Sequence, residues 1–120
     1  MIYAYSSSKE KIEAIKAASE KIGHKFGAIS QGQLNDSVAK ITMGMNAPCK
    51  SPKAPPLYVL PEVLLFAGMK DGELDKFLAI YKAIGLSPVR LKAMVTPYNM
   101  NWSLYALVEE LQKEARSFGE

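Results

Sequence analysis

A chain of 120 residues is the size of one ordinary domain, and 48% apolar with 22% charged residues describes a chain that buries a core, not a disordered one. A net charge of +3, from 15 basic and 12 acidic residues, argues against a nucleic-acid binder, which carries a dense basic stripe. The single cysteine, Cys49, excludes an intrachain disulfide, and no apolar run nears the roughly 20 residues that span a bilayer. Residues 1–6 lack the basic and apolar pattern of a leader, so a cytoplasmic chain without a membrane contact is the expectation.

Ile2, Tyr3, Ala4 and Tyr5 are strand formers, and Ser6, Ser7 and Ser8 offer hydroxyls that cap a helix. Apolar residues then recur at Ile12, Ile15, Ala18 and Ile22, in steps of three and four, which predicts a helix ended by Gly23. Residues 26–30 predict a short strand. Asn35, Asp36 and Ser37 offer caps for a helix carrying Val38, Ile41 and Met45. Residues 44–61 hold five of the seven prolines and read as an exposed, partly extended connector, in which residues 57–60 could form an edge strand. Residues 63–67 are apolar at every position, which predicts a strand covered on both faces. A helix follows from about Asp71, with Leu74, Phe77, Tyr81 and Ile84 on one face and Gly85 at its end. Residues 91–95 predict the next strand, closed by Thr96 and Pro97. The last helix begins near Asn101 and carries Leu104, Leu107, Val108 and Leu111.

Residues 1–45 and 62–120 therefore form two similar halves on either side of a connector at 46–61. An offset of 62 places Ile2 on Leu64, Ile12 on Leu74, Ile15 on Phe77 and Gly23 on Gly85. After an insertion of four residues the offset is 66, and Asn35 falls on Asn101, Ser37 on Ser103 and Val38 on Leu104. The expected fold is a single α/β domain over residues 1–120. In it, two β-α-β-α repeats share one four-stranded mixed sheet with packed helices, related by a pseudo-twofold, and each half contributes a parallel strand pair. The strand order across the junction is not readable.

The second half carries a distinctive run: Leu91, Lys92 and Ala93, then Thr96 and Pro97, then Asn99, then Trp102. With Glu62 to Gly68 and Glu73-Leu74-Asp75, it resembles the bacterial domain of unknown function 3783 over about residues 62–116. The resemblance implies no activity. The first half lacks the signature: Gln31 and Gly32 stand near where Thr96 and Pro97 would fall, and Asp36 replaces Trp102.

Residues 96–102 are the leading candidate site. They follow a strand's carboxyl end and lead into a helix start, where ligands gather in open α/β sheets and free N–H groups favour anions. Thr96, Asn99 and Asn101 offer hydrogen bonds, Trp102 a flat apolar wall, and Lys70 and Lys92 positive charge toward an anion. The same residue types also serve as caps, turn and core packing, and that structural reading stands beside the functional one. Neither nucleotide-binding glycine fingerprint is present. Cys49 and His24 are the one thiol–imidazole pair, Lys50 and Lys53 being near the thiol in sequence. His24 also suits a helix end, and Glu73 with Asp75 reads as a solvated face. Met43, Met45, Met69 and Met100 could line an adaptable groove. No metal or cofactor is expected. The leading expectation is a non-catalytic module that binds a small molecule or a protein at the 96–102 edge. A thiol-dependent enzyme and an oligomerisation domain, monomer or homodimer, are the alternatives.

Overall fold

The computed structural model describes residues 1–44, 53–87 and 89–117. The elements are β1 (Ile2–Tyr5), α1 (Lys9–Lys21), β2 (Phe26–Ala28), a single 3-10 turn at Gln31–Gln33, α2 (Val38–Met43), β3 (Val63–Phe66), α3 (Glu73–Ile84), β4 (Leu91–Met94) and α4 (Leu104–Ser117). One mixed sheet has the order β2-β1-β3-β4. β1 and β2 are parallel, β3 and β4 are parallel, and the two pairs meet antiparallel at β1 and β3.

Strand periodicity explains why one sheet carries two cores. Successive side chains point to opposite faces. Val63 and Leu65 join Tyr3, Val38, Leu104, Leu107 and Val108 on the face under α2 and α4. Leu64 and Phe66 join Ile2, Ala4, Ile15, Ala18, Phe77 and Tyr81 on the face under α1 and α3. All four residues of β3 are buried, as a strand covered on both faces must be. Burying a side chain such as Phe66 or Phe77 contributes about 1.5–3 kcal/mol, and their rings also meet edge to face at 5.5 Å.

Local signals set the helix ends. Ser8 caps α1 by accepting the Lys11 N–H at 3.4 Å. Gly85 ends α3 at φ 91°, a left-handed conformation that costs other residues a steric clash. The expected starts of α3 and α4 are corrected inward by about two or three residues. Gly72 is the residue before α3, and a hydrogen-bonded turn occupies residues 96–102, so α4 waits for Ser103.

Two further expectations change. Residues 57–60 are not an edge strand; β2 and β4 are the edges of the sheet. Nor is the connector simply exposed. Leu60 is 2% accessible, and Ala54 and Tyr58, partly buried, pack against the same core. Met45 lies outside the described residues.

The pairings across the sheet follow the offsets 62 and 66. Adding 62 to Ile2 and subtracting it from Phe66 turns the pair Ile2–Phe66 into Leu64–Ala4, which is also a pair. Ile2 pairs Phe26 and Leu64 pairs Lys92, offsets of 62 and 66. Ile29 donates its N–H to the Ala4 carbonyl and Val95 to the Phe66 carbonyl, both at 2.8 Å.

Candidate functional site

The turn after β4 is built from its own polar groups. The Thr96 N–H donates to Asn99 Oδ1 at 2.9 Å, and the Asn99 N–H donates back to Thr96 Oγ1 at 3.3 Å. Asn99 Nδ2 donates to the Met94 carbonyl at 3.0 Å, which ties the turn to the end of β4. This reciprocal arrangement is a capping box, in which a hydroxyl and an amide satisfy each other's backbone. Residues 66 positions earlier make a similar one: the Ser30 N–H donates to Gln33 Oε1 at 2.8 Å. Counted by that offset, Ser30 and Gln31 fall opposite Thr96 and Pro97, one residue ahead of Gln31 and Gly32, and Gln33 falls opposite Asn99.

The N–H groups expected to be free at the start of α4 are all taken. Leu104 donates to the Asp36 carbonyl and Tyr105 to the Leu34 carbonyl, both at 3.0 Å. Ala106 donates to Ser103 Oγ at 3.1 Å, and Leu107 to the Ser103 carbonyl at 3.1 Å. α2 is served the same way from the other side. Val38 donates to the Trp102 carbonyl and Ala39 to the Met100 carbonyl, both at 2.8 Å. An anion therefore finds no unused donor at either helix start, since a first-turn N–H that is already bonded contributes little more than its dipole.

What the turn leaves outward is aromatic. The Tyr98 side chain is 87% accessible, Trp102 36%, and Asn101 lies exposed between them. Of the two lysines, Lys92 Nζ donates to the Val89 carbonyl at 2.7 Å, ahead of β4, whereas Thr96 follows the opposite end of that strand. Lys92 is thus not brought to the turn. Lys70 is exposed, and its N–H donates to Glu73 Oε1 at 2.6 Å.

A family model, Domain of unknown function (DUF3783), matches residues 62–118. This segment belongs to that family. No curated protein and no solved structure matches the chain. The DUF3783 segment runs from just ahead of β3 to the end of α4 and includes the whole 96–102 turn.

Three networks that sequence reasoning missed join distant parts of the chain, and the first two tie the DUF3783 segment to the rest. In the first, Glu62 accepts from Ser6 Oγ at 2.5 Å and from Lys11 Nζ at 2.8 Å. Burial pushes the Glu62 carboxyl up, but the bonds from Lys11 and Ser6 and the Lys11 charge outweigh it and hold the carboxyl below its ordinary range. In the second, His24 Nε2 stands 3.0 Å from Glu73 Oε2, and His24 Nδ1 stands 2.8 Å from the Met1 amino group. Glu73 is therefore not a solvated acid. The Lys70 N–H first, and then His24, hold its carboxyl below the ordinary range. Burial lowers the Met1 amino group, with Glu73 pulling against it.

The third network is a clamp. Gln31 Nε2 donates to the Tyr58 carbonyl at 2.6 Å, and the Leu60 N–H donates to Gln31 Oε1 at 2.8 Å. Asn35 Oδ1 accepts the Ala54 N–H at 2.7 Å. Partners 19 to 56 residues apart leave no local pattern, so only the residue types were visible.

Cys49 and Lys50 lie outside the described residues. His24 is engaged by Glu73 and the Met1 amino group. Among the described residues, no group of three His, Cys, Asp or Glu side chains stands close enough to hold a metal, and no helix is long and apolar enough to cross a membrane. A cavity of about 470 Å³ lies between the end of α1 and α3, lined by Lys21, Ile22, Glu73, Lys76, Ala79 and Ile80.

Proposed function

We propose that the chain is a non-catalytic module that binds another protein through the turn between β4 and α4. The observation that carries this is a division of labour within seven residues. Thr96 and Asn99 spend their polar groups on each other and on the Met94 carbonyl. Tyr98 and Trp102 are turned outward on the frame so made. A rigid loop that presents aromatic rings suits protein recognition, because Tyr and Trp bring large contact area at low cost in rotamer entropy. The small-ligand version draws less support, since the donors that would hold an anion are already bonded.

We also read the two halves as copies of one β-α-β-α unit. The hydrogen bonds Val38–Trp102 and Leu104–Asp36 exchange under the offset of 66, and so do Ala39–Met100 and Tyr105–Leu34. Only the second copy keeps the outward aromatic pair, because Gly32 and Asp36 occupy the positions that Tyr98 and Trp102 hold.

Affinity capture with the immobilised chain tests the binding role. Wild type, Tyr98→Ser and Trp102→Ser are compared after melting curves show that all three fold. A partner retained by wild type and lost from both variants is expected. Identical retention by all three would defeat the proposal.

A further inference from the structure

We infer that the cavity between the end of α1 and α3 binds a small organic carboxylate that carries an apolar body. The cavity lies on the sheet face under α1 and α3, whereas the 96–102 turn leads into α4 on the opposite face. The inference therefore stands apart from the protein-binding reading.

The walls follow from helical spacing. Glu73, Lys76 and Ile80 recur in steps of three and four, so they share one face of α3, with Ala79 beside them. Phe77 and Tyr81 are turned to the core instead. Lys21 and Ile22 form the other side at the end of α1, where Gly23 at φ 80° turns the chain away toward β2. His24 follows, and its Nε2 stands 3.0 Å from Glu73 Oε2. That pair holds the end of α1 against the start of α3, so the two walls are joined before a ligand arrives. The volume of about 470 Å³ falls within the roughly 300–1,000 Å³ of small-molecule sites.

Charge and apolarity choose the ligand. Lys21 and Lys76 stand on opposite walls, and among the described residues neither ammonium group has a carboxylate partner. Glu73, the one acid in the wall, is already engaged: Oε1 accepts the Lys70 N–H at 2.6 Å and Oε2 faces His24. The lining thus sets two lysine charges against one carboxylate, an excess that matches a monoanion better than a phosphate dianion. Ile22, Ala79 and Ile80 bring no polar side-chain atom, and Ile22 and Ile80 continue outward from the core under α1 and α3. A carboxylate set between the two lysines, with its apolar body laid on Ile22, Ala79 and Ile80, uses both walls and the floor.

The test is a titration of the full, isotope-labelled chain with octanoate at low ionic strength, read from amide and methyl shifts. Saturable shifts are expected at Ile22, Ala79 and Ile80. Lys21→Gln and Lys76→Gln, both at exposed positions, should each weaken octanoate about threefold, and the double variant about tenfold, with the melting temperature unchanged. Glu73→Gln removes the opposing charge yet keeps an amide oxygen for the Lys70 N–H, so it should tighten octanoate about threefold. A loosened fold would weaken binding and not strengthen it, so this opposite sign ties the effect to charge. Octylamine should not compete, and inorganic phosphate should bind at least about tenfold more weakly than octanoate. Absence of saturable shifts at Ile22, Ala79 and Ile80 overturns the inference, and so does unchanged affinity in the double lysine variant. Equal binding of octylamine overturns the anion, and phosphate bound as tightly as octanoate overturns the apolar body.

Discussion

Gly27 and Tyr3 are cross-strand neighbours, and a Cβ built on Gly27 would stand 2.7 Å from both Cδ1 and Cε1 of the Tyr3 ring. The ring cannot simply swing away, because its hydroxyl donates to the Thr42 carbonyl at 2.6 Å. Gly27→Ala should therefore destabilise the chain by about 1–3 kcal/mol through overpacking. Tyr3→Leu should cost about 2–4 kcal/mol by truncation in the core, the lost hydroxyl bond included. At the positions 62 and 66 residues on, Leu65 pairs with Ala93. The double variant thus gives β1 and β2 the residues that β3 and β4 already use, and its methyl enters space the ring has left. It should be more stable than the sum of the two single effects predicts, by about 1–2 kcal/mol. Urea unfolding of the four proteins, followed by circular dichroism, measures the cycle. Additivity within about 0.3 kcal/mol, or a neutral Gly27→Ala, would refute the reasoning.

Asn99→Ala removes the acceptor for the Thr96 N–H and the donor to the Met94 carbonyl, so it should cost about 1–2 kcal/mol in urea unfolding; a loss no larger than that of an exposed surface change would contradict the capping role. Glu62 has a depressed pKa in the folded chain, so its stabilising contribution is complete above the ordinary glutamate range and is lost as pH falls through the lower folded value. The stability gap between wild type and Glu62→Gln should accordingly shrink between about pH 7 and about pH 3, and a gap constant with pH would count against the Ser6–Lys11–Glu62 network. Gln31→Ala releases two bonds to residues 58 and 60, and chymotrypsin should then cut near Leu57 and Tyr58 about tenfold faster. Unchanged cleavage there would show that packing of Leu60 alone holds the connector.

Much of the architecture could be read because it rests on periodicity. The unbroken apolar run at β3 predicted a strand buried on both faces, and Ile15, Ala18, Phe77 and Tyr81 are buried as the helical spacing requires. The stripe on α3 stops early: Ile84 is 45% accessible. The turn at 96–102 was legible as a polar and aromatic cluster, but not which groups would face outward. An asparagine at 99 suits a cap or a ligand equally well by residue type, and only the positions of Thr96 and Met94 decide it. The Lys11–Glu62 and His24–Glu73 pairs were invisible for a different reason. The partners lie 51 and 49 positions apart, and charge alone does not choose among the many lysines and acids. Residues 54–60 misled through their prolines, which suggest exposure, whereas side-chain amides from Gln31 and Asn35 do the binding that a sheet ladder would otherwise do.

The two helix starts, α2 and α4, are served by carbonyl groups of the opposite half, and four of those bonds involve main-chain atoms only. A main-chain bond is indifferent to which side chain its residue carries, proline excepted. Substitutions at Leu34, Asp36, Met100 or Trp102 can accumulate without erasing it, so the seam between the halves tolerates wide change in the side chains that flank it. That freedom lets one half give its matching turn to holding the connector while the other keeps an aromatic face, with the joint between them unchanged.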